Sequence, residues 1–279
     1  MKLSKGTTTL AVGVTKDRVK EFWDQSACGE TAFLHGQSGE DYARHLAARY
    51  ELEPYIRDFV EFPRWRGKRV LEIGIGLGAD HSVLVREGAL TYGVDLTHRA
   101  VSHTHQRLAH LGVHSNLAVG DAENLPYSNE AFDMVFSWGV LHHSPNTAQG
   151  FAEVWRVLKP GGTAKIMIYN YRSLVGAMLW IRYAFLRLRP WMPLRDIYSQ
   201  FLESPGTKAF TPEEARAMCA RFSDVHVEVE LSHGDLLSPY AGQRHKGLAL
   251  SLARFLWPRT FIRKFMKRRG LFMLITALK

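Results

Sequence analysis

Between Val70 and Asp80 the chain reads VLEIGIGLGAD, and this stretch constrains its fold more tightly than any other. Val70, Leu71 and Ile73 make an apolar, β-prone run, and Gly74, Gly76 and Gly78 then release the backbone before a helix begins. A strand, a glycine loop and a helix start leave amide N–H groups unpaired and let a ligand approach the main chain. After a short helix comes TYGVDLT, with Asp95 at the expected end of a second strand, 21 residues beyond Gly74. At that spacing a β-α-β unit delivers a carboxylate to a ribose diol, so the two features together suit a nucleotide-like ligand. Taken alone, the glycines would also fit an ordinary turn.

The run is acidic-x-Gly-x-Gly-x-Gly, with Glu72 ahead of the first glycine, and not the Gly-x-Gly-x-x-Gly of dinucleotide enzymes. In that pattern the chain resembles the class I S-adenosylmethionine-dependent methyltransferases of the broad small-molecule type. The resemblance implies an α/β, Rossmann-like sheet, mostly parallel with an antiparallel final strand and helices on both faces. It also implies S-adenosyl-L-methionine as cofactor and a small-molecule acceptor, with an RNA methyltransferase using the basic C-terminal segment and a non-catalytic cofactor-binding partner subunit as the alternatives. On the matching positions, Glu72, Gly74, Gly76 and Gly78 would hold the methionyl part and Asp95, followed by Leu96, the ribose. In GDAENLPY, Asp121 would take the adenine amino group and Ala122 would offer its N–H to a ring nitrogen, with Ser137 a further cofactor-side candidate. A carboxylate accepts from an exocyclic amine but cannot donate, which suits that role. An isolated Asp121 would read as a turn aspartate.

Strands and helices alternate along this core, the pattern of a parallel sheet covered on both faces. The expected strands are Lys68 to Ile73, Leu90 to Asp95, His114 to Val119, Ala131 to Trp138 and Thr163 to Tyr169. Helices are expected over Ala79 to Glu87, Arg99 to Leu111 and Thr147 to Leu158. LKPGG, from Leu158 to Gly162, reads as a helix stop and turn, and matches what the resembled class carries before its fifth strand. FTPEEARAMCARF gives a helix with Thr211 as N-cap and Pro212 at its first position. Val225 to Leu231 and Leu271 to Leu278 are the closing strands.

The fourth strand leads into SWGVLHHSPN. Methyl transfer needs little covalent machinery, because placing the acceptor in line supplies most of the rate. If a base is used, His142 and His143 have the side chain for it at the carboxyl edge of the sheet, while packing is the alternative role for either. Amino-directed relatives carry an Asn/Asp/Ser-Pro-Pro-aromatic motif here, and Ser137-Trp138-Gly139-Val140 is not one. A cytosine-C5 enzyme needs a nucleophilic cysteine near a proline, a setting neither Cys28 nor Cys219 has. His98, His103, His105, His110 and His114 lack the i, i+4 helical spacing of a zinc pair, since Gly112 interrupts the one instance, and they read as a solvated helix face with no metal.

Residues 1–66 precede a core at 67–279, with helices at Lys16 to Trp23 and Glu40 to Tyr50; they resemble the N-terminal helical lid of many small-molecule methyltransferases, and a helical cap whose aromatics only pack on the sheet is the alternative. Phe22 and Trp23 from the lid, with Tyr169 and Tyr171 after the fifth strand, are the acceptor-side candidates. Residues 170–209 read as a helical insertion with Leu174, Met178, Ile181, Phe185 and Leu188 on its packed stripe. Two distant cysteines suggest no disulfide framework. The N-terminal LAVGV is too short for a signal segment and no run reaches the ~18 apolar residues of a spanning helix. The expectation is a cytoplasmic protein, with peripheral contact at the inner membrane surface.

The net charge of +9 is local: residues 236–279 hold ten Lys or Arg and no Asp or Glu. Within 236–270, Phe255, Trp257, Phe261 and Phe265 interleave with Arg254, Arg259, Arg263, Lys264, Lys267, Arg268 and Arg269. Three readings stay open: a solvated basic helix, an anchor for an anionic membrane, and a nucleic-acid contact.

Overall fold

A computed structural model describes residues 15–238 and 255–279. The N-terminal LAVGV run, Arg254 and the first part of the basic segment lie outside the described residues. Seven strands form one sheet in the order β3-β2-β1-β4-β5-β7-β6. They span Arg69–Ile73 (β1), Leu90–Asp95 (β2), Asn116–Val119 (β3), Phe132–Trp138 (β4), Leu158–Tyr169 (β5), Asp224–Glu230 (β6) and Phe272–Leu278 (β7). β1 to β5 pair in parallel, while β7 runs antiparallel to both β5 and β6. The expected class I sheet, mostly parallel with an antiparallel final strand, is the one observed.

Both faces are covered, which is why the central strands read as nearly continuous apolar runs. Successive side chains alternate faces. Leu71, Ile73, Val135, Ile166 and Ile168 join one core with Phe151 and Val154 of the helix Thr147–Val157. Val70, Met134 and Phe136 join another with Ile56, Val60 and Trp65 from the chain ahead of the sheet. The order of the strands reverses at β1, between β2 and β4, and ligands in open α/β sheets bind at such a reversal.

The elements before β1 are helices at Lys16–Gln25 (α1), Glu30–Phe33 (α2), Gly39–Leu52 (α3) and Tyr55–Val60 (α4). Helix α3 is started by a capping box between Ser38 and Asp41. Thr211 caps Pro212–Met218 in the same manner, with Glu214 returning to the Thr211 amide.

Three expectations need correction. LKPGG is not a separate turn before the fifth strand: β5 starts at Leu158, opposite Phe132, and the register shifts before Thr163 meets Met134. The left-handed Gly161 takes up that irregularity. In the insertion, the helix stops at Tyr183, and Val175, Gly176, Leu179 and Ala184 turn inward, so Ile181, Phe185 and Leu188 of the expected packed stripe are exposed. The histidine helix, His98–His110, is not uniformly solvated: His103 is buried beneath α3, with its Nδ1 2.9 Å from the Tyr42 hydroxyl. No described helix is long and apolar enough to cross a membrane.

Candidate active site

A cavity of about 510 Å³ opens at the carboxyl ends of β1, β2 and β4. Its wall starts with the glycine loop, where all three glycines hold positive φ. They serve different ends. A Cβ on Gly74 would lie 2.0 Å from Val140 Cγ2, and one on Gly78 would lie 2.7 Å from Thr104 Oγ1, so these two permit close packing. A Cβ on Gly76 would meet nothing within 4 Å, because this glycine faces the cavity. Gly78 caps the helix Ala79–Arg86 (α5) from behind and does not line the cavity.

Asp95 ends β2 and lines the cavity together with Leu96. Its Oδ2 accepts the Gly76 amide at 3.1 Å, and its Oδ1 accepts the Thr97 amide and hydroxyl, each at 3.0 Å. Burial raises the pKa of this carboxyl, and the same donors oppose that rise. Glu72 also borders the cavity, but its carboxylate is engaged at 3.0 Å by His81 Nδ1 of α5. Asp121 and Ala122 line the cavity beyond β3. The Asp121 carboxylate accepts the Glu123 amide at 2.8 Å and the Lys16 ammonium at 2.6 Å. Ser137 is fully buried inside β4 and does not reach the cavity; its Oγ has no partner among the described residues.

The same cavity takes in Gly139 and Val140 and a further set of residues, its chamber away from the glycine loop. Trp23, Trp138, Leu179, Leu202 and Phe272 are among its apolar lining, and His143, Tyr169 and Glu203 among its polar lining. Tyr169 donates to Glu203 Oε2 at 2.6 Å, and His143 Nε2 lies 3.3 Å from the same oxygen without hydrogen-bond geometry. Burial, then Glu203, holds the Tyr169 hydroxyl well above its ordinary pKa. On the other side of the ring, His143 Nδ1 lies 2.8 Å from Ser204 Oγ and 3.1 Å from Thr207 Oγ1. The Thr207 hydroxyl donates to the Ser204 carbonyl, so Thr207 is set to accept from an Nδ1–H. His142 is fully buried behind this layer, outside the cavity lining, and burial pulls its pKa well down. Neither of its ring nitrogens has a partner among the described residues.

Of the four acceptor-side candidates, Trp23 and Tyr169 line the cavity. Phe22 packs edge-on against Trp23, and Tyr171 packs on Tyr198 outside the chamber. Sequence reading missed Lys16, Glu53 and Glu203. Glu203 sits in an ESPGT turn with no motif to mark it, and only its position inside the 170–209 insertion hinted at the acceptor side. Arg49 of α3 grips Asp80 of α5 through Nε at 2.9 Å and also reaches Glu53 at 3.3 Å, which fixes α3 across the cavity. Burial pushes the Glu53 carboxyl up to about 7 despite that arginine.

Residues 71–166 match the family described as methyltransferase domain. Over 98 residues the chain is 40% identical to a phthiotriol/phenolphthiotriol dimycocerosates methyltransferase of Mycobacterium leprae, covering 34% of this chain and 36% of that protein. Over 173 residues it is 25% identical to a demethylmenaquinone methyltransferase of Tropheryma whipplei, covering 56% and 71%. The match thus spans about a third of the length of the mycobacterial relatives. Among solved structures, the fold is similar to an S-adenosylmethionine-dependent methyltransferase of Mesorhizobium loti, with TM-score 0.54, 17% identity, and 81% and 97% of the two chains covered. It is also similar to a phosphoethanolamine N-methyltransferase of Haemonchus contortus solved with S-adenosylhomocysteine, with TM-score 0.60, 18% identity, and 94% and 60% covered.

Residues 71–166 thus match a methyltransferase domain, and they lie in a sheet with the strand order of the class I methyltransferase fold. The cofactor is S-adenosylmethionine, which the site fits: Gly76 leaves open space where a side chain would stand, and the Asp95 and Asp121 carboxylates border the same cavity.

Proposed function

We propose that this chain transfers a methyl group from S-adenosylmethionine to an apolar or amphiphilic small molecule, such as a quinone, a lipid or a secondary metabolite. One observation carries the reading: the cavity bordered by the glycine loop and Asp95 is also lined by the apolar Trp23, Trp138, Leu179, Leu202 and Phe272, with His143, Tyr169 and Glu203 among its polar groups. Such a lining binds an apolar body and orients one reactive end. The named mycobacterial and menaquinone relatives act on molecules of that kind, which supports the same class here.

When bound, the cofactor supplies an electrophilic sulfonium methyl. Gly76 would leave room for its methionyl part, Asp95 would accept from the ribose hydroxyls, and Asp121 would accept from the adenine amine. The remaining work of the protein is to align the acceptor and to remove a proton if the acceptor carries one. His143 is arranged for that second task. In the tautomer with Nδ1–H directed at Thr207, Nε2 would carry the lone pair, and an imidazolium formed there would lie 3.3 Å from the Glu203 carboxylate. Ser204 and Thr207 hold the ring, and Tyr169 holds Glu203.

The chamber reading is tested by Leu179→Trp, which fills the acceptor side without touching the glycine loop. Calorimetry should give cofactor affinity close to wild type, while methyl transfer to an organic extract of cells should be lost. Undiminished transfer would remove the chamber from the mechanism.

A further inference from the structure

The geometry points to a docking surface for an anionic lipid bilayer, built on the outer side of the elements that wall the acceptor chamber. It goes beyond the transfer reading and stands or falls without it. The surface has two clusters. In the first, Phe255, Leu256, Phe261 and Phe265 are 83, 67, 55 and 64% exposed around the helix Arg259–Phe265, whose inward contact is the buried Ile262. Arg263, Lys264, Arg268 and Arg269 stand exposed among them, and none has a carboxylate within 4.0 Å among the described residues. The second lies beyond Tyr183, where Leu186, Leu188 and Trp191 are 68, 82 and 76% exposed beside Arg182, Arg187 and Arg189.

Both clusters are tied to the chamber wall. The helix Leu174–Tyr183 turns Val175 and Leu179 toward the cavity and carries Ile181 and Arg182 on its exposed side. Ser232, His233 and Gly234 line the same cavity, and the next residue, Asp235, accepts the Val175 amide at 3.1 Å. Trp257 donates to the Asp235 carbonyl at 2.9 Å, and Arg259 donates to the carbonyls of Leu236 and Leu237, each at 3.0 Å. The basic aromatic helix is therefore pinned to the turn that closes the acceptor side.

The side-chain chemistry decides the occupant. Aromatic rings with arginines would serve nucleic acid by stacking and phosphate contact, but exposed Leu186, Leu188 and Leu256 offer no stacking face. An interfacial bilayer contact uses both halves, since aliphatic and aromatic groups enter the headgroup boundary and the cations meet anionic lipid. A soluble surface rarely gathers this much apolar area without a partner.

The test is flotation of the full chain with phosphatidylcholine vesicles, with and without phosphatidylglycerol. The chain should float with the anionic vesicles and be released by high salt. The Phe261→Ser/Phe265→Ser double variant should float at least about tenfold less, with cofactor affinity by calorimetry unchanged as proof of folding. Failure of the wild type to float with anionic vesicles, equal flotation by the double variant, or tighter binding to single-stranded RNA than to the vesicles would overturn the assignment. No acceptor or turnover enters the readout, so this result is separable from that of the transfer experiments.

Discussion

Lys16, the first residue of α1, donates to Asp121 Oδ2 at 2.6 Å, and the same ammonium lies 2.6 Å from Glu123 Oε2. One cation thus ties the helix that carries Trp23 to a carboxylate on the cavity wall. Its hydrogen bonds to Asp121 and Glu123 raise the Lys16 pKa, so the ammonium is charged throughout the neutral range. The pair is partly exposed and its direct contribution is modest. Its effect should be on closure.

Lys16→Met should weaken S-adenosylmethionine binding about three- to tenfold, mainly through faster dissociation, with little change in thermal stability. Stopped-flow displacement of the cofactor reads this directly. An unchanged dissociation rate would mean that the ion pair does not hold α1 over the ligand.

Gly76 and Gly78 are two residues apart and should respond oppositely. Gly78→Ala drives a Cβ to 3.0 Å from the Thr104 main chain at φ +70, and should cost stability on the order of 2 kcal/mol with little direct effect on the ligand. Gly76→Ala meets no protein atom, so beyond the strain of its φ of +50, about 1 kcal/mol, its cost should appear as lost cofactor affinity. Denaturant melts beside calorimetry separate the two, and matching profiles would contradict the division.

His143→Gln should lower kcat by about 100-fold for an acceptor that loses a proton, with cofactor affinity retained. Glu203→Gln should show a smaller loss in the same parameter, because it removes the charge beside the imidazolium and leaves the base. Equal cofactor affinity with unchanged kcat in His143→Gln would return this histidine to a packing role.

Glu53 gives the folded chain a pH signature. Its carboxyl is pushed up to about 7 by burial from an ordinary value of 4.5. Between those values the folded chain keeps a proton that the unfolded chain has released, so this group lowers stability as pH rises from about 4.5 to about 7. The full effect is on the order of 3 kcal/mol. Glu53→Gln should flatten that part of the stability profile in urea titrations, and an unaltered slope would place the proton elsewhere.

The parts of this molecule that were legible in its sequence are those set by local chemistry. Val70 to Ile73 had to be a buried strand, Gly74 to Gly78 a loop, and Thr211 with Glu214 a helix start, because each depends on neighbours in the chain. What was not legible depends on tertiary contact. The helix from Leu174 is apolar on more than one side, so periodicity could not say that Val175 and Leu179 face inward while Ile181 and Phe185 stay outside. His103 reads like its histidine neighbours until Tyr42 of α3 covers it. Ser137 and His142 lie close enough to the strand end to suggest the site, but the pleat buries Ser137 and the turn of Leu141–His143 buries His142, both away from the cavity lining. Glu203 reaches His143 across 60 residues of chain, with no local pattern to announce it.

The central claim is that the methyl group leaves S-adenosylmethionine for an apolar small molecule held in the chamber beside His143. Incubation of the protein with methyl-labelled cofactor and fractionated cell extract, followed by mass identification of the labelled product, tests it most directly. The account predicts label in an organic-soluble small molecule, lost in Leu179→Trp. Label recovered chiefly in RNA, or in no fraction despite tight cofactor binding, would contradict it.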